Sequence, residues 1–173
     1  MFKQIILPLA ATSLFIVLVG LFLRTNPAPV SPAYKQLKVG DIKINVDLAD
    51  TAEERQKGLS GREIIAENYG LLFVFDKKDI FPSFWMKDMR FAIDIIWIND
   101  GKVIKIDKNI QPEPAATPDD KLKLYRPDKP VDYVLEVNSG YCDKNNLKVG
   151  DSVDSSEYEK TNNFRKDSDQ ALA

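Results

Sequence analysis

A chain of 173 residues with one cysteine and no histidine is long enough for one domain with a core of its own. Without histidine the Ser-His-Asp, Cys-His and histidine–zinc chemistries have no parts, and a lone Cys142 excludes an internal disulfide or a CxxC site. A formal net charge of −2 argues against a broad phosphate-binding surface, so nucleic acid is not an expected partner.

Residues 5–23 hold 19 positions without a charge. As a helix at ~1.5 Å per residue they would span about 28 Å, close to the thickness of a bilayer core. Residues 1–24 are therefore expected to form an uncleaved, single-pass membrane anchor. The alternative is a cleaved signal segment that leaves a secreted or periplasmic protein. However, the nearest small-x-small site, Ser31-Pro32-Ala33, lies well beyond the apolar stretch and has proline at its centre. The short basic head at Lys3 favours an extracytoplasmic domain, although Arg24, Lys35 and Lys38 follow the apolar stretch and leave the positive-inside count undecided. Beyond Arg24 the chain has 22 basic against 26 acidic residues, so it gains nothing from anionic headgroups. Residues 25–37 read as a proline-spaced, extended spacer.

A β-rich globular domain is expected over 38–153. Ile42, Ile44, Val46 and Leu48 alternate with Lys43, Asn45 and Asp47, the pattern of a half-buried strand. Thr51-Ala52-Glu53-Glu54 is a capping box that opens a short helix, which Gly58 can end with a positive φ. Ser60-Gly61-Arg62-Glu63 repeats the capping pattern and predicts a second short helical turn through Ala66. Apolar, β-branched and aromatic runs then predict strands at 71–75, 84–86, 92–98, 103–106 and 131–137. Asn99-Asp100-Gly101 marks a hairpin, most simply a type I turn with glycine in the left-handed position. Three prolines within 112–118 and two more at 127 and 130 make 109–130 a long irregular loop, and 154–173 read as a disordered polar tail. Six or seven short strands with few crossover helices predict a mainly β, β-rich α+β fold: a compact, mainly antiparallel, barrel-like coiled sheet.

Several stretches together resemble a known family. They are Glu54-Arg55-x-x-Gly58-Leu59, Gly70-Leu71-Leu72-Phe73-Val74-Phe75, Phe84-Trp85-Met86-Lys87-Asp88-Met89, Ile93-Asp94-Ile95-Ile96-Trp97-Ile98, and Tyr133-Val134-Leu135-Glu136-Val137 with Gly140 and Gly150-Asp151. In this order, from about residue 40 to 153, they are similar to the family called domain of unknown function 192. The resemblance implies a small barrel-like β domain, frequently carried behind a signal or membrane segment, with no established activity. Ser60 stands where that pattern has methionine. Asp88 stands where it has asparagine, which sets a carboxylate beside Lys87.

Candidate site residues follow from charge placed where apolar residues dominate. If Phe84 and Met86 face the core, Trp85 and Lys87 face outward together, an indole and an ammonium suited to sugar rings, peptides or an anion-bearing ligand. Asp94 shares a strand face with Ile96 and Ile98, and a carboxylate there needs a partner or a proton. Arg55, Lys87 and Arg90 are the plausible cations. Glu136, between Leu135 and Val137, poses the same problem.

Three readings follow. In the first, Arg55, Trp85, Lys87, Asp94 and Glu136 form a binding or interaction site for a small polar ligand or an envelope component, with Asp94 and Glu136 orienting the cations. The second is a hydrolase-like acid/base pair of Asp94 and Glu136. The third is a purely structural envelope protein whose ion pairs fix helix to sheet. No metal-ligand spacing is present and no cofactor is expected, because Gly140 and Gly150 lack phosphate-loop neighbours. Cys142 reads as a partly buried bystander.

Overall fold

The structure, a computed structural model, describes residues 35–156 and residue 158. The expected anchor over 1–24, the spacer as far as 34 and the tail apart from 154–156 and 158 lie outside the described residues. Among the described residues no helix is long and apolar enough to cross a membrane.

Residues 35–37, assigned to the spacer by their sequence, instead open strand β1 (Lys35–Val39), with Leu37 fully buried. The alternation at 42–48 produces β2 (Ile42–Ala49). The Thr51 capping box closes on both sides and starts helix α1 (Ala52–Lys57). The remaining elements are β3 (Tyr69–Val74), β4 (Ile93–Asn99), β5 (Lys102–Ile110), a 3₁₀ turn at Asp119–Lys121, β6 (Tyr133–Asn138), helix α2 (Tyr141–Lys144) and β7 (Val153–Asp154). Strand β7 and a buried Tyr158 carry ordered structure into the stretch expected to be tail.

The seven strands form one sheet in the order β5-β4-β6-β3-β2-β1-β7. Every pair is antiparallel except β2–β3, which is parallel and connected through α1. The edges approach each other. Lys102 bridges to Ser152, and hydrogen bonds from Val103 N to Asp151 O (2.9 Å) and from Val153 N to Gly101 O (2.7 Å) join the start of β5 to the chain entering β7. A sheet closed in this way leaves little unpaired edge, so the expected mainly β, barrel-like architecture is the one observed.

Two apolar clusters lie on opposite faces of this sheet. Every strand contributes to the inner one, through residues such as Leu37, Ile44, Leu72, Ile96, Val103, Leu135 and Val153. The outer one covers β3, β6 and β4 with Leu71, Phe73, Ile95, Trp97 and Val134, under Leu59, Ile65, Phe84, Met86 and Met89 from the connections. The central strands are thus buried on both faces, which is why their sequences are continuous apolar runs.

Three local expectations are corrected. Residues 60–66 are a turn followed by irregular chain, not helix, because Ser60 Oγ donates to Lys87 O (2.7 Å) instead of capping, and Gly61 is at φ +77°. The second short α-helix is α2. Residues 84–86 form no strand: Phe84 makes an isolated bridge with Tyr125 of the long loop, although Phe84 and Met86 are buried and Trp85 is exposed as alternation requires. The β4–β5 hairpin has both Asp100 and Gly101 at positive φ (47° and 64°), as a type I′ turn requires. Its two-residue loop matches the strand twist, which a type I turn would not.

Candidate functional site

Strand register builds the site. Asp47 pairs with Leu71, Leu71 with Glu136, Glu136 with Ile95 and Ile95 with Asp107. These residues form one row across the outer face, and Glu136 emerges at its centre between two apolar side chains. It is 5% exposed, and its Oε2 has no hydrogen-bond partner among the described residues. Burial pushes its carboxyl up to about 8, against a smaller opposing pull from Arg62. Near pH 7 Glu136 is therefore mostly a neutral acid.

Helix α1 ends over this carboxyl. Gly58, its C-cap, has φ 51° and ψ −132°, a conformation side chains resist. A Cβ there would stand 3.4 Å from Phe73 Cζ and 3.8 Å from Glu136 Oε2. Beside Gly58 a cavity of about 260 Å³ opens above the acid, walled by Phe73, Phe84, Met89 and Trp85, with Arg55 and Lys57 also on its lining. Phe73 and Phe84 meet edge to face at 4.7 Å. Trp85, 39% exposed, is the most accessible aromatic of this wall.

The sequence-predicted residues separate into three groups. Arg55, Trp85 and Glu136 line this cavity. Lys87 lines a neighbouring cleft of about 500 Å³ that shares Trp85, and its Nζ pairs with Asp119 Oδ1 at 2.6 Å. Asp94 belongs to neither. It is fully buried, and its partners are backbone N–H groups rather than the expected cation: Asn109 N at 2.9 Å, Gly140 N at 3.3 Å and Cys142 N at 3.1 Å. Arg90 pairs with Glu63 instead.

Arg55 is likewise held by others. Its Nη1 donates to Asp50 O (2.6 Å) and Val74 O (2.9 Å), its Nη2 meets Asp76 Oδ2 at 3.0 Å, and the guanidinium lies over Phe75. It fastens α1 to the end of β3. Neither acid therefore orients a site cation, which corrects that part of the expectation. Adjacent positions on paired strands also place Asp94 and Glu136 on opposite faces, so the acid/base pair required by the hydrolase reading does not exist.

Phe73, Phe84, Met89 and Gly58 are the site residues that the sequence reading missed. The aromatics looked like core and Gly58 like a helix stop; only the acid in register with Leu71 and Ile95 shows what they surround. Cys142 is buried, and its thiol is pushed up by burial and by Asp94, which leaves it a poor nucleophile. Among the described residues no three His, Cys, Asp or Glu side chains converge to hold a metal.

The sequence profile of DUF192, described as "Uncharacterized ACR", matches residues 35–155. Two solved structures are similar. One is a candidate transcription regulator from Sinorhizobium meliloti 1021, 27% identical, covering 73% of this chain and 97% of its own, with a TM-score of 0.62. The other is a protein of unknown function from Novosphingobium aromaticivorans DSM 12444, 27% identical, covering 75% of this chain and 91% of its own, with a TM-score of 0.63. No curated protein matches significantly.

Proposed function

For this chain, which belongs to the DUF192 family, we propose a binding module that holds a small organic molecule in the cavity beneath α1. The observation that carries this reading is the Glu136 carboxyl, whose buried Oε2 has no hydrogen-bond partner among the described residues, on the lining of an aromatic-walled cavity. A buried polar group left unsatisfied costs about 1–3 kcal/mol, and a ligand that meets it removes that cost. Few convergent polar atoms in a mostly apolar, pre-formed hollow is the usual make-up of a small-molecule site. Trp85 supplies a stacking face.

A fragment screen by thermal shift on the full chain tests the reading. A compound present at ~100 times its dissociation constant stabilises the fold by about 2.7 kcal/mol, and hits are expected to lose their effect in Trp85→Ala. If no fragment stabilises the wild-type chain, or if hits are indifferent to Trp85, the cavity is a packing feature and the structural reading replaces this one.

The module is placed at the extracytoplasmic face of a membrane, held there by residues 5–23. Support comes from the 19 uncharged residues of that segment and the basic head at Lys3. In right-side-out membrane vesicles, added protease should remove the domain. Protection of the domain in intact vesicles with cleavage after lysis would place it on the cytoplasmic side.

A further inference from the structure

We propose that the ligand of this cavity is a small organic ammonium, an amine on a short aromatic or apolar body, received by the Glu136 carboxylate within the aromatic wall of Phe73, Phe84 and Trp85. The inference rests on the binding reading above and specifies its chemistry.

Three kinds of ligand compete for such a hollow. An anion needs a counter-charge, and neither cation on the lining is both free and buried. Arg55 is committed to two carbonyls and Asp76, Lys57 is exposed, and Arg62, whose field reaches Glu136 from outside this cavity, is paired with Asp47 at 3.3 Å. A neutral polar ligand would satisfy Oε2 and stack on Trp85, but it brings no charge to meet the carboxylate or the electron-rich rings. A cation uses both. Ring faces carry the negative side of the aromatic quadrupole and attract a desolvated ammonium, while an ionised carboxylate supplies acceptor oxygens only. The charge also balances. When the ammonium enters, the neutral acid gives its proton to solvent, and the carboxylate–ammonium pair that remains has no net charge. A volume of about 260 Å³ holds one ring and its aminomethyl arm.

Benzylamine, benzyl alcohol and benzoate share a body and differ in the group that would meet Glu136. Binding of each to the full chain and to Glu136→Gln is measured at pH 7.5 by ligand-observed NMR or calorimetry. Benzylamine is expected to bind the wild type at least about tenfold more tightly than benzyl alcohol, a preference of ~1.4 kcal/mol. Benzoate should be the weakest. In Glu136→Gln the preference should vanish, while a cooperative urea unfolding transition shows that the fold is intact. Equal binding of amine and alcohol, or a preference for benzoate, overturns the ammonium assignment and leaves the binding module standing. Amine selectivity that survives in Glu136→Gln overturns it as well. If none of the three binds, the ammonium assignment falls, and the broader fragment screen decides the binding reading separately.

Discussion

Asp94→Ala is expected to lower the unfolding free energy by about 3–5 kcal/mol, whereas Asp119→Ala should cost less than about 1 kcal/mol. The two aspartates differ in what their loss leaves behind. Asp94 Oδ1 accepts from Asn109 N and Gly140 N, and Oδ2 accepts from Cys142 N. Those donors come from different segments. Asn109 sits at φ 51° where the β4–β5 register slips between Ile93 and Ile95, and Gly140 and Cys142 open α2. Truncation strands three N–H groups in a place with little access to water, and each costs about 1–3 kcal/mol unless the chain rearranges. Asp119 holds only the exposed Lys87 pair, with its own side chain 74% exposed, where screening and side-chain entropy leave little net gain. Urea midpoints of the two variants at pH 7 decide the matter, and equal midpoints would refute the structural role given to Asp94. Asp94→Asn should fall between, because its amide keeps one acceptor but turns an NH₂ toward N–H donors.

That prediction also marks where the sequence stops being legible. Asp94 announces from its apolar neighbours that it is buried and needs a partner, but backbone N–H groups carry no residue type, so the sequence points only to cations such as Arg55, Lys87 and Arg90. The strands were readable because burial on one face gives alternation and burial on both gives continuous apolar runs, as β2 and β4 show. The outward turn of Trp85 was readable by the same alternation, although no strand formed: the partner of Phe84 is Tyr125, 41 positions away in the loop, and nothing local encodes that pairing. Ser60-Gly61-Arg62-Glu63 spelled a capping box, yet Ser60 is claimed by Lys87 O from 27 positions further on. For the site, Arg55, Trp85 and Glu136 could be singled out as unusual residues. Their meeting depends on inter-strand register and on where helix α1 ends at Gly58, and both are properties of the assembled fold.

Glu136→Gln is expected to make the protein more stable at neutral and alkaline pH, by an amount that grows with pH. The folded-state pKa of about 8 exceeds the ordinary value of 4.5, so between the two the folded chain retains a proton that the unfolded chain has released. The stability of the wild type that depends on this group is complete below about pH 4.5 and drains away as pH rises toward 8, at up to ~1.4 kcal/mol per pH unit. Burial is the dominant cause and Arg62 opposes it. Glutamine keeps the shape and one acceptor without the titration, so the two proteins should be close in stability near pH 4.5 and differ by a few kcal/mol at pH 8. Urea unfolding of both chains at pH 5, 6.5 and 8 reads the difference directly, and parallel profiles would show that Glu136 is not held as a neutral acid. The same variant is expected to lose amine selectivity while gaining stability, the opposition that marks a group placed for binding instead of folding. In the wild type the alkaline penalty arises because the buried carboxyl has no counter-charge strong enough to let it ionise, so the folded chain keeps a proton that the unfolded chain gives up. A bound ammonium supplies that counter-charge, so saturating benzylamine should narrow the stability gap between the wild type and Glu136→Gln at pH 8.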